Sequence, residues 1–117
     1  MTQERRRRTR APVRMTVTVT SEGKRARVES DNVSLTGLLC KTRDHFRKGI
    51  PCTVSIRLNE NTRIRIAGKI QRTTPLETAI AFLAMDEKSF FHLKKLVQYN
   101  TGDADLVNLE LTTPVFK

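Results

Sequence analysis

The sequence predicts a mainly β fold, in which six short antiparallel strands close into a small barrel and one C-terminal α-helix follows. Three observations carry that expectation. Val13, Met15, Val17 and Val19 alternate with Arg14, Thr16, Thr18 and Thr20, the period-two pattern of a strand with one buried face. Val54, Ile56 and Leu58, and then Ile64, Ile66 and Ile70, repeat that pattern on either side of a polar turn at 59–62, so they read as a hairpin. From Met85 the period changes, and Phe90, Leu93, Leu96 and Val97 fall on one helical face.

Residues 1–12 are expected to form a flexible, Arg-rich arm. No apolar residue occurs from Thr2 to Thr9, and like charges repel one another, so this segment has nothing to pack with. Pro12 pushes Ala11 toward extended geometry and lets the arm run straight into the first strand, 13–20. After Ser21-Glu22-Gly23, a second strand with Ala26 and Val28 inward should run to about Ser30, and a third should span 36–42. The hairpin supplies the fourth and fifth, and a sixth, 77–83, follows the break at Thr73-Thr74-Pro75. Asp86 is a good N-cap for the helix, which should carry Lys88, Lys94 and Lys95 outward, bury Phe91, and end near Asn100 or Gly102. Closing the strands leaves no unpaired edge, with the helix on an open end or seam. The organisation expected is an arm (1–12), a barrel with its helix (13–102), and a tail (103–117) with a short helical turn through Leu106, Val107 and Leu109.

The chain is 117 residues long, the size of one domain, which should bury about two-thirds of its unfolded surface. Its balance of 22 Lys+Arg against 12 Asp+Glu gives a formal +10 and points to an anionic partner. Arg5, Arg6, Arg7, Arg8, Arg10 and Arg14 crowd around a single acid, Glu4, so about half of the excess sits at the N-terminus. The remainder is expected to be spread through the barrel and helix. Cys40 and Cys52 form no C-x-x-C pair, and His45 and His92 no H-x-x-x-H pair. The thiols should pack as small hydrophobes and the histidines should lie at the surface, with no metal and no cofactor implied. No grouping of nucleophile, base and acid occurs, so an enzyme is not expected. Residues 11–20 alternate rather than form the apolar run of a signal peptide, and no segment approaches the roughly 20 apolar residues of a membrane span, so a cytoplasmic location is expected.

Two local features need to be read together. One is the pair Arg6 and Arg10; the other is Asn32-Val33-Ser34-Leu35-Thr36-Gly37, which begins after 21 intervening residues, where the second strand hands over to the third. Each has a bland reading: Asn and Ser side chains close local turns, Gly tolerates positive φ, and Arg runs are solvated or bind polyanions without selectivity. Together they resemble the signature of the PilZ domain, a bacterial receptor family for the second messenger cyclic di-GMP: R-x-x-x-R, then [D/N]-x-[S/A]-x-x-G. The register of the first half rests on Arg10 preceding Ala11-Pro12-Val13, as the family's second Arg precedes its first strand.

The resemblance covers most of the chain up to Gly102 and implies a PilZ-type six-stranded barrel in a stand-alone receptor or adaptor. It implies that the arm folds over cyclic di-GMP through Arg6 and Arg10 while Asn32, Ser34 and Gly37 meet the ligand from the barrel. Arg5, just before the first motif Arg, implies two ligand molecules bound as an intercalated dimer. Arg72 is a further candidate contact, weighed against a solvated strand-end arginine. Guanidinium suits this ligand, because guanine N7 and O6 and the two phosphodiesters accept paired N–H bonds and the purine face accepts its plane. Ordering six to ten arm residues costs about 1–2 kcal/mol each, more than two charged contacts return, so stacking and barrel contacts must contribute. The output would pass to an unknown protein effector through the helix or the 103–117 tail. Two other readings compete: a basic barrel that clamps nucleic acid with the arm, and a PilZ-like interaction module without ligand binding. No aromatic pair on a strand face argues against nucleic acid, and the intact motif argues against the second.

Overall fold

The computed structural model describes residues 10–11 and 14–101. Within them the chain forms β1 (Arg10–Ala11), β2 (Thr16–Ser21), β3 (Lys24–Ser34), β4 (Gly37–Lys41), β5 (Pro51–Arg57), β6 (Arg63–Thr73), β7 (Glu77–Met85) and α1 (Glu87–Thr101). Strands β2 to β7 make the six-stranded antiparallel barrel, in the order β3-β2-β5-β6-β7-β4, and pairing of β4 with β3 closes it. The sequence neighbours β2-β3-β4 form one three-stranded meander and β5-β6-β7 another. Two seams between distant segments, β2 with β5 and β4 with β7, join the meanders.

The alternation in sequence becomes an inside and an outside. Val17 and Val19 of β2, Val54 and Ile56 of β5, and Ile64 and Ile66 of β6 are almost fully buried, while the threonines and arginines between them face outward. Phe46, from the connection 42–50, and Leu93 and Val97 of α1 complete this core. The helix begins as expected: Asp86 Oδ1 accepts the Ser89 N–H at 2.7 Å, which together with the Ser89 hydroxyl holds the Asp86 carboxyl below its ordinary pKa. Ser89 Oγ in turn accepts the Arg65 N–H at 3.0 Å, tying the first turn of α1 to β6.

The structure departs from expectation at several places. His45, expected at the surface, is half-buried against Phe46 with its Nε2 buried. The second barrel strand does not stop at Ser30 but continues to Ser34. A bulge between Ser30 and Asn32 bends it, so its first half pairs with β2 and its second half with β4. Phe91 is not in the core; it is 47% exposed, turned away from the stripe of Leu93 and Val97, with the Lys94 and Lys95 ammonium groups 5.8 and 5.0 Å from its ring centre. Cys40 and Cys52 are free and buried, and burial pushes their thiols up to about 12 and about 11, which keeps both protonated near neutral pH. No described helix is long and apolar enough to cross a membrane, and the described residues contain no cluster of His, Cys, Asp and Glu suited to a metal. The expected helical turn at 103–117 lies outside the described residues.

Candidate ligand-binding site

The site is built around the corner where β3 turns into β4. Ser34, 2% exposed, locks that corner. Its hydroxyl accepts the N–H groups of Thr36 and Gly37, each at 3.1 Å, and donates to the Gly37 carbonyl at 3.2 Å. A hydroxyl has one proton and two lone pairs, so these bonds use its capacity. Replacing Ser34 by Ala should leave two backbone N–H groups without a partner, at a cost of about 1–3 kcal/mol. A melting temperature lowered by about 4–8 °C per kcal/mol is the expected readout, and an unchanged melt would show that the corner does not depend on this hydroxyl.

Gly37 begins β4, opposite Ala81 of β7. A Cβ at this position would stand 2.6 Å from the Ile80 carbonyl oxygen, so only glycine lets the two backbones approach this closely. The Phe82 N–H, donating to the Thr36 carbonyl at 2.8 Å, holds the same approach. Beside the corner, Asn32 is half-buried on β3 opposite Leu39, and its Oδ1 is buried without a hydrogen-bond partner among the described residues. An acceptor so placed is costly unless a donor meets it. Lys41 Nζ lies 3.5 Å from Asp31 and offsets the one carboxylate at the corner.

Strand register extends the site across the barrel wall. Asn32 pairs with Leu39, Leu39 with Ala79, and Ala79 with Arg72, one row over four strands and therefore roughly 14 Å long. The row faces outward, and Gly37, Ala79 and Ala81 keep its middle low. Arg72 joins it because of a second bulge, between Ile70 and Arg72. In unbroken register Arg72 would stand opposite Thr78, whose side chain is buried; the extra residue turns it to the exposed face. The arm arrives at the other end of the row. Arg10 pairs across from Ser34 and Ala11 from Val33, on the edge of β3 that β2 occupies farther along, and α1 lies beside this short strand. The Arg10 side chain, Arg5 and Arg6 lie outside what is described. The Leu39–Ala79 floor and the outward turn of Arg72 depend on cross-strand register and on a bulge, which no local motif announces.

The family model for the PilZ domain matches residues 4–100. The chain belongs to the PilZ family. Among solved structures, it resembles the PilZ domain of CeSA from a cellulose-synthesizing bacterium, with a TM-score of 0.62 and 13% identity over 80% of this chain and 95% of that one. It also resembles the PilZ domain of YcgR from Escherichia coli, solved with c-di-GMP, with a TM-score of 0.67 and 11% identity over 94% of this chain and 99% of that one. The Bacillus subtilis inhibitor of motility MotI/DgrA matches with a TM-score of 0.65 and 20% identity over 94% of this chain, which spans about half (53%) of that protein. At these identities the structures establish a shared PilZ fold. No curated protein matches the chain.

Proposed function

We propose that this PilZ protein is a cyclic di-GMP receptor without catalytic activity, which responds to the second messenger by ordering its N-terminal arm and passes the signal to a protein partner. The observation that supports the reading is the pairing of Arg10 with Ser34, which brings the backbone of the last residue of R-x-x-x-R to the Asn32-x-Ser34-x-x-Gly37 corner. Arg10 and Asn32, with 21 residues between them in sequence, thus lie on adjacent strands. In this reading Arg6 and Arg10 grip guanine and phosphate, the unpartnered Asn32 Oδ1 receives a donor from the ligand, and Arg72 meets it from the far end of the row. Ser34 and Gly37 act by fixing the corner on which the ligand rests. The c-di-GMP bound to the structurally similar YcgR domain supports the choice of ligand.

The test is isothermal titration of the full chain with cyclic di-GMP beside GTP, GMP and single-stranded RNA. Micromolar or tighter binding of the cyclic dinucleotide is expected, with no binding of GTP or GMP and no displacement of the dinucleotide by the RNA, and no heat with cyclic di-GMP would refute the proposal. Arg5 precedes the first motif arginine, and two ligand molecules per protomer are expected, stacked as an intercalated dimer. A stoichiometry near one would remove that part of the reading.

A further inference from the structure

The charge outside the arm is not spread evenly. Arg25, Arg27, Arg57, Arg63 and Arg65 gather around one shallow cavity of about 760 Å³ on the outer face of β3, β2, β5 and β6. Register explains the cluster. Arg27 pairs with Thr18, Thr18 with Ser55 and Ser55 with Arg65, a row flanked by Arg25, Thr20 and Thr53 on one side and by the Arg57–Arg63 pair on the other. Arginines thus rim a floor of hydroxyls. None of the five guanidinium groups is within salt-bridge distance of a carboxylate among the described residues, where the ion pairs are Lys41–Asp31 and Arg47–Glu22. Glu29, opposite Thr16, and Asp86, whose carboxyl Ser89 and then Arg65 help to hold down, are acids at the margin. This face shares no row with Asn32 and Arg72; it lies over the β2–β5 seam, whereas their row crosses the β4–β7 seam.

We infer that this face binds the phosphodiester backbone of single-stranded nucleic acid, independently of the cyclic di-GMP site. Five arginines, none of them in a close ion pair among the described residues, raise the local potential and call for an anion. A protein interface would be expected to bury an apolar or aromatic centre, and Met15 is the one large apolar residue lining the cavity. A flat bilayer does not fit a concave face. Arginine, threonine and serine are among the side chains that contact phosphate oxygens, and a row about 14 Å wide spans a few successive phosphates of an extended strand. The lining holds no aromatic residue, so bases are left unstacked and the backbone is held without sequence preference. The scarcity of aromatic residues therefore argues against base stacking, not against this mode.

The experiment is fluorescence anisotropy of the full chain with a fluorescein-labelled 12-nucleotide oligouridylate, between 50 and 200 mM salt. If about four phosphates are engaged, log K should fall with log salt at a slope near −3, about −0.7 for each. The double variant Arg27→Glu/Arg57→Glu should bind at least about tenfold more weakly with an unchanged melting temperature, and should keep its cyclic di-GMP titration. Arg6→Ala/Arg10→Ala should reduce oligouridylate binding by less than about threefold. The inference is overturned if the arm variant loses the oligonucleotide while the groove variant keeps it. It is equally overturned if polyglutamate competes as well as oligouridylate at equal charge, or if a duplex of the same length binds more tightly.

Discussion

Arg10→Ala is expected to abolish measurable cyclic di-GMP binding while leaving the barrel folded. A charge-assisted contact contributes about 1.5–3 kcal/mol, a factor of about 10 to 150 in affinity, and Arg10 is also where the arm is attached to the corner. Alanine keeps the backbone groups with which β1 pairs to Ser34 and Val33, and the six barrel strands do not depend on the side chain at this position. Titration calorimetry and a thermal melt of the same sample separate the two effects. Equal affinity in variant and parent would sink the ligand assignment, and a collapsed melt would mean that the arm is part of the folding unit.

Gly37→Ala should damage both stability and binding. The added methyl would stand 2.6 Å from a carbonyl oxygen of β7, an atom fixed in a strand and not the end of a flexible side chain. Relieving that contact means moving β4 away from β7, and overpacking of this kind costs about 1–3 kcal/mol, or about 4–8 °C of melting temperature per kcal/mol. The same displacement shifts Leu39 against Ala79 and breaks the row between Asn32 and Arg72, so cyclic di-GMP affinity should fall at least about tenfold. Gly23→Ala is the control. It sits at φ +78° with nothing within 4 Å of an added Cβ, at the β2–β3 turn, so it should lower the melt through backbone strain and leave affinity unchanged. A Gly37→Ala melt within about 1 °C of the parent would show that the strands part without cost.

Much of this architecture is legible in the sequence because period-two alternation is a local signal. Val17 and Val19, the hairpin about 59–62 and the Asp86 cap each declare their element within a few residues. The bulges are not legible in the same way. Nothing around Asp31 or Gln71 marks an extra residue, because a bulge is a mismatch between two strands and the partner of each is distant in sequence. For that reason the second strand reads as ending at Ser30 although it runs on through the motif to Ser34. The motif itself is plain to see, but the division of labour within it is not. Sequence shows a serine and a glycine; only the three bonds of Ser34 and the Ile80 carbonyl facing Gly37 show why those residue types suit the corner. Phe91 differs from the bulges: it stands about 160° around the helix from Leu93 and about 120° from Val97, so the local helical period already turns it away from the buried stripe.

The construction from two meanders bears on how the barrel opens. Within each meander, neighbouring strands are joined by short connections, so their pairing closes small loops. The β2–β5 and β4–β7 seams close large ones and should form last and part first during sub-global opening. Each proposed site lies across one of these seams. A dinucleotide reaching from Asn32 to Arg72 would bridge one, and a strand of phosphates lying on Arg27 and Arg65 the other. Ligands that bind only the closed form stabilise it by mass action, so either ligand would act as a removable clasp holding the two halves of the wall together.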